Sequence, residues 1–113
     1  MGRQNKLDES QLGPLVDTLV STVAPEKVIL FGSHARQTAG PDSDIDLFLQ
    51  IDTGRDVKAA TKAAYKALRQ MPARPRVAVD IVVKDQAFVE RYGDLVGTVV
   101  RSVLREGKVL YAR

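Results

Sequence analysis

The stretch Val77-Ala78-Val79-Asp80-Ile81-Val82-Val83 constrains the fold more than any other part of this chain. It is β-branched and apolar at successive positions, the pattern of a central strand covered on both faces, with one charged intruder. Such a strand needs neighbours to pair with and helices to cover it. Val28-Ile29-Leu30-Phe31, stopped by Gly32, reads as one buried neighbour. Asp44-Ile45-Asp46-Leu47-Phe48-Leu49-Gln50-Ile51, alternating at its start, reads as another.

Leu12, Leu15, Val16, Leu19, Val20 and Val23 recur at three- and four-residue spacing, which predicts an amphipathic helix. Ser10 is expected to cap it, Pro14 to fall in its first turn and Pro25 to end it. Asp56 to Met71, rich in Ala and Lys, favours a second helix with Ala60, Ala63, Ala64, Ala67 and Leu68 on one face, closed by Pro72 and Pro75. A last helix is expected from about Asp94 to Glu106, with Leu95, Val96, Val99, Val100, Val103 and Leu104 facing inward. Gly107 would be its C-cap and Val109-Leu110-Tyr111 a short final strand. The order helix, strand, strand, helix, strand, helix predicts an α/β (α+β) fold, a small mixed β-sheet with helices packed against it. The link from Ser33 to Ser43 is polar and carries the turn Gly40-Pro41-Asp42. It is too short for a full crossover helix, so the first two strands should be antiparallel or joined by one helical turn.

At 113 residues the chain is sized for a single domain, 1–113. No apolar run approaches the roughly 18–20 residues of a membrane span. Met1 to Lys6 is polar with no apolar stretch behind it, so no secretory signal is expected. The absence of cysteine excludes disulfides, thiolate zinc sites and cysteine nucleophiles, and a cytoplasmic protein is the simplest reading. The net charge of +3 is interspersed, with only Arg69 to Arg76 and Arg101 to Arg113 locally basic. That balance favours anionic small ligands or an acidic partner and falls short of a nucleic-acid footprint.

The chemistry rests on three aspartates. Asp44 and Asp46, two apart on a strand, point the same way with Cα atoms roughly 6.6 Å apart. Two carboxylates about 6 Å apart repel by on the order of 3 kcal/mol at an effective dielectric of 20, so a cation between them relieves the strain. Hard oxygen ligands suit Mg²⁺ or Mn²⁺. The plain alternative is a capped turn at Asp42-Ser43-Asp44 and a solvated Asp46. Asp80 inside an apolar strand should be protonated, paired with an arginine such as Arg36 or Arg101, or metal-bound, and a place beside Asp44 and Asp46 on a neighbouring strand explains it best. Gly32-Ser33 ends a strand and opens a polar segment, where the backbone can approach an anion and the hydroxyl can bind phosphate oxygens. Arg36 is placed either to clamp a phosphate or to pack at the surface. His34, the only histidine, is a surface or nucleotide-stacking neighbour, and Tyr65, Tyr92 and Tyr111 are core or rim residues.

Together, Gly32-Ser33, then Asp44-Ile45-Asp46, then an aspartate in a later strand resemble the polymerase-β-like nucleotidyltransferase superfamily. Leu30-Phe31-Gly32-Ser33-His34-Ala35-Arg36 and Pro41-Asp42-Ser43-Asp44-Ile45-Asp46-Leu47 look like its minimal nucleotidyltransferase branch, and the likeness runs to Leu104–Tyr111. His34 stands where arginine is common and Gln37 where glycine is common. The resemblance implies catalytic and metal-binding roles for Asp44, Asp46 and Asp80, and nucleotide binding by Gly32, Ser33 and Arg36. It implies two Mg²⁺ ions, with Mn²⁺ as a substitute, and ATP as substrate. Stand-alone members resemble the antitoxin half of two-gene modules whose other product is a helical HEPN ribonuclease. There the activity is adenylylation of the toxin, typically on tyrosine and using ATP, and the toxin is the partner supplied in trans. The alternatives are a non-catalytic antitoxin that neutralises by binding, and an aminoglycoside-type adenylyltransferase acting as a dimer. A co-purifying helical partner or a stable homodimer separates these readings.

Overall fold

A computed structural model describes residues 9–113, with side chains from Leu12 onward. The polar Met1–Lys6 segment lies outside the described residues. Helix α1 (Glu9–Val23) is followed by β1 (Lys27–Phe31), a single helical turn α2 (Ser33–Arg36), β2 (Ile45–Ile51) and α3 (Val57–Arg69). Then come β3 (Val79–Asp85), α4 (Gln86–Tyr92), α5 (Val99–Glu106) and β4 (Lys108–Ala112). The sheet order is β3-β2-β1-β4, with β1 antiparallel to both β2 and β4, and β2 parallel to β3. The expected small mixed sheet is present, and the first two strands are both antiparallel and joined by one helical turn.

Alternating side chains divide the core between the two faces of the sheet. Val28, Leu30, Ile45, Leu47, Leu49, Ile51, Ile81 and Val83 meet Leu15 and Leu19 of α1 and Ala60, Ala64 and Leu68 of α3. On the other face Ile29 and Phe48 pack with Val100 and Val103 of α5, flanked by Phe31, Val82, Phe88 and Val89. Every residue of β2 is buried except Asp46, so β2 is the central strand.

That corrects the sequence reading of Val77–Val83. It forms β3, an edge strand beginning at Val79, because α3 carries the chain to one side of β2 and β4 closes the opposite edge. The Tyr65 hydroxyl of α3 seals the middle of this edge. It accepts the Ile81 N–H at 2.9 Å and donates back to the Ile81 carbonyl at 3.4 Å. Satisfying an outer backbone pair in this way blunts an exposed strand edge.

Two helix ends also differ from expectation. Ser10 lies inside α1 rather than at its cap, which places Pro14 beyond the first turn. The last helix starts at Val99 rather than at about Asp94, and a further helix, α4, which the sequence reading did not include, precedes it across Gly93 to Thr98, with Gly97 at φ 91°. Asp85 caps α4 by accepting the Phe88 amide at 2.8 Å, and Thr98 caps α5 by accepting the Arg101 amide at 3.2 Å. Only Val100 and Val103 of the six apolar residues expected inside are buried, since two turns of helix present one short stripe to the sheet. Gly107 does cap α5, donating its amide to the Val103 carbonyl at 2.8 Å. A side chain there would lie 2.5 Å from the Ile29 methyl group, so the chain can enter β4 this closely only at glycine.

Candidate active site

Gly32 ends β1 with φ 76° and ψ −154°, a conformation open essentially to glycine alone. A second constraint acts at the same atom. A Cβ on Gly32 would overlap the Asp46 carboxylate and stand 3.1 Å from its Cγ. The glycine is therefore the floor on which Asp46 rests, and the strand register puts Phe31 opposite Asp46. Ser33 opens α2, where first-turn amides have no intrahelical partner. Gln37 ends that turn in the left-handed region at φ 62°, a conformation that favours glycine.

The connection back to β2 is tied by polar contacts. His34 donates from Nε2 to the Ser43 carbonyl at 3.1 Å, and Ser43 Oγ accepts the Gly40 amide at 2.9 Å. The Thr38 amide donates to the Ser33 carbonyl at 2.9 Å. His34 thus fixes the residue immediately before Asp44. Sequence reasoning missed this positioning role, because only the folded loop brings residues 34 and 43 together.

Asp44 is exposed just ahead of β2, one residue later than the strand start expected from sequence. Asp46 is partly buried on the face that carries Phe48. Parallel pairing sets Asp80 directly beside it, in register. The Ile45 amide donates to the Ala78 carbonyl at 2.9 Å and fixes that register at the strand ends. Asp80 is exposed, contrary to the buried position expected, because β3 is an edge strand and nothing covers its first residues on this face. Neither Arg36 nor Arg101 pairs with it among the described residues. Arg36 instead forms a 3.5 Å ion pair with Glu106 in which both side chains are about half exposed, a contact worth at most about 1 kcal/mol and easily exchanged.

The carboxylates sense one another. Burial, followed by the charges of Asp80 and Asp44, holds Asp46 above the usual carboxylate range, and His34 and Arg36 partly offset this. Among the described residues no three acidic or histidine side chains are gathered closely enough to enclose a metal ion by themselves. The donor set nevertheless fits magnesium, which binds through one or two carboxylates and takes its remaining ligands from phosphates and water. Three oxygen donors from neighbouring strand ends, two of them exposed and free to rotate, meet that requirement. Cavities of about 240, 510 and 260 Å³ lie elsewhere, along α3 and its junctions with β3 and α1. None of the three has Asp44, Asp46 or Asp80 in its wall.

The fold is similar to the crystal structure of a candidate nucleotidyltransferase from Sulfolobus solfataricus, with a TM-score of 0.55. The match covers 100% of this chain and 93% of that one at 21% sequence identity, a likeness that speaks for the fold alone. No curated protein matches the sequence. No helix among the described residues is long and apolar enough to cross a membrane. The model of the family described as polymerase beta, nucleotidyltransferase matches residues 14–113, nearly the whole chain. With the mixed sheet and the strand-end aspartates in place, the chain belongs to the polymerase-β nucleotidyltransferase family.

Proposed function

We propose that this chain transfers AMP from ATP to a hydroxyl, a tyrosine, of a helical HEPN ribonuclease encoded beside it, and thereby acts as its antitoxin. The observation that carries the reading is the in-register pair Asp46–Asp80, with Asp46 seated on Gly32. This puts carboxylates from two strands next to the turn that would hold the phosphates. Membership of the nucleotidyltransferase family supplies the reaction class.

In this scheme Gly32 and Ser33 orient the triphosphate, so that the reaction gains chiefly from positioning. Arg36, released from Glu106, neutralises phosphate charge. Asp80, exposed on the edge strand, faces the acceptor and takes up the proton of the acceptor hydroxyl as that oxygen attacks the α-phosphorus. The bond from that phosphorus to the bridging oxygen breaks and pyrophosphate leaves. Asp44, Asp46 and Asp80 would hold divalent magnesium, which stabilises negative charge on the attacking and departing oxygens. The exposure of Asp44 and Asp80 favours a protein acceptor over a small one, because a small acceptor needs walls that bury most of its surface. A protein acceptor brings its own.

The test is incubation with α-³²P-ATP and Mg²⁺, using the ribonuclease encoded beside this chain as acceptor. Label should appear on the ribonuclease, silence it, and be absent with Asp44→Asn/Asp46→Asn. Silencing by the unlabelled complex, undiminished in the double variant, would refute catalysis and leave a binding module.

A further inference from the structure

We propose that the 94–98 loop, α5 and β4 together form the docking face for the acceptor protein, whose matching face is apolar at its centre and acidic at its rim. The inference rests on the transferase reading above for the identity of the partner. Its physical basis is independent of that reading.

Every large hydrophobic side chain that is exposed among the described residues falls between 95 and 109. They are Leu95 (53% exposed), Val96 (76%), Val99 (38%), Leu104 (50%) and Val109 (56%). Scattered exposed apolar residues are ordinary, whereas confinement to one segment marks a surface that something else covers. Leu95, Val96, Val99 and Leu104 carry the periodicity of buried positions in the sequence, yet each remains at least 38% exposed. A coupling to the active site is also present. The Arg36–Glu106 ion pair joins α2 to the end of α5, and α5 lies on the sheet face that carries Asp46 and Asp80. A protein seated on α5 is thereby held on the face from which those carboxylates project.

Charge selects the occupant. Arg101, Arg105 and Lys108 are interleaved with the apolar residues. Of the nearby acids Glu106 is engaged by Arg36 and Asp94 is exposed without a cationic partner among the described residues, while the terminal Arg113 is engaged by Glu26 and Asp52. Among the described residues Arg101, Arg105 and Lys108 have no carboxylate partner. A second copy packed about a twofold axis would set three unpaired cations and the single free acid Asp94 against the same set, an excess of like charge that is unfavourable. An acidic rim on a different protein would match them and steer its approach.

The experiment uses the full chain and the purified ribonuclease encoded beside it, with binding measured by calorimetry, self-association by light scattering, and label transfer in parallel. Val96→Asp and Val109→Thr lie at exposed positions and should leave the unfolding midpoint unchanged. Each should weaken binding by about tenfold or more, as truncation at an interface centre does. Arg105→Glu should slow association several-fold at low salt and little at high salt. Asp44→Asn/Asp46→Asn should bind normally without transferring label. Tight binding that the surface variants abolish, without any label on the ribonuclease, would retain the docking face and refute the transferase reading. Label transfer and binding unchanged in the surface variants would retain that reading and overturn the docking face. Absence of binding by the wild type, or a homodimer that the same variants dissociate, would overturn the proposed occupant.

Discussion

Gly32→Ala should destabilise the fold by about 3 kcal/mol, and part of that loss should disappear once Asp46 is removed. Two costs add at this position. An alanine held at φ 76° and ψ −154° carries backbone strain of about 1–3 kcal/mol. Its Cβ also overlaps the Asp46 carboxylate, and forcing an extra carbon into an occupied site costs a further ~1–3 kcal/mol. Asp46→Ala removes the carboxylate but leaves its own Cβ, which stands 3.4 Å from the new methyl group, an ordinary contact. In that background Gly32→Ala should retain only the backbone cost. Urea unfolding of the wild type, both single variants and the double variant gives the coupling directly, with an expected value of about 1–2 kcal/mol. Additivity within about 0.3 kcal/mol, or a Gly32→Ala loss below about 1 kcal/mol, would refute the claim that this glycine exists to seat the carboxylate.

Other consequences follow from named contacts. Asp46 binds its proton more tightly in the fold than in the unfolded chain, so its ionisation opposes folding, and this contribution erodes stability as pH rises from the unfolded to the folded value. Asp80→Asn removes one of the repulsions and should raise stability at pH 7 by about 0.5–1 kcal/mol after solvent screening, with the gain gone near pH 3, while abolishing transfer. Denaturant curves at both pH values decide the point, and a loss of stability at pH 7 contradicts it. Tyr65→Phe leaves the outer Ile81 backbone pair without its side-chain partner and should cost about 1 kcal/mol, with faster exchange of the Ile81 amide. Unchanged exchange would mean that the hydroxyl does not seal the edge. Thr98→Ala should cost about 1 kcal/mol by removing the α5 cap, seen as a lower thermal midpoint, and an unaltered midpoint would show the cap to be dispensable.

What could be read in the sequence was what local spacing encodes. The stripes of α1 and α3 and the run of β2 follow from period alone, since each element buries a regular set of side chains. The pattern Gly32-Ser33 with Asp44 and Asp46 was visible because one short loop carries it. The place of Asp80 beside Asp46 was legible as well, from a carboxylate set in an apolar strand, but its exposure at a sheet edge was not. An apolar β-branched strand reads the same at the centre of a sheet as at its edge, and only the path of the chain through α3 decides between them. The turn at Gly97-Thr98 was present in the residues but masked by Leu95, Val96 and Val99, whose spacing mimics a continuous inward stripe. The contact of His34 with Ser43 depends on loop closure, which no periodicity records.

The central claim is that Gly32, Ser33 and the aspartate cluster form a magnesium-dependent nucleotide site. Calorimetric titration of ATP into the wild type and into Asp44→Asn/Asp46→Asn, each with and without Mg²⁺, tests it most directly. Binding should require Mg²⁺ and be lost in a double variant that remains folded. Equal ATP affinity in both proteins, or in the wild type with and without Mg²⁺, would contradict it.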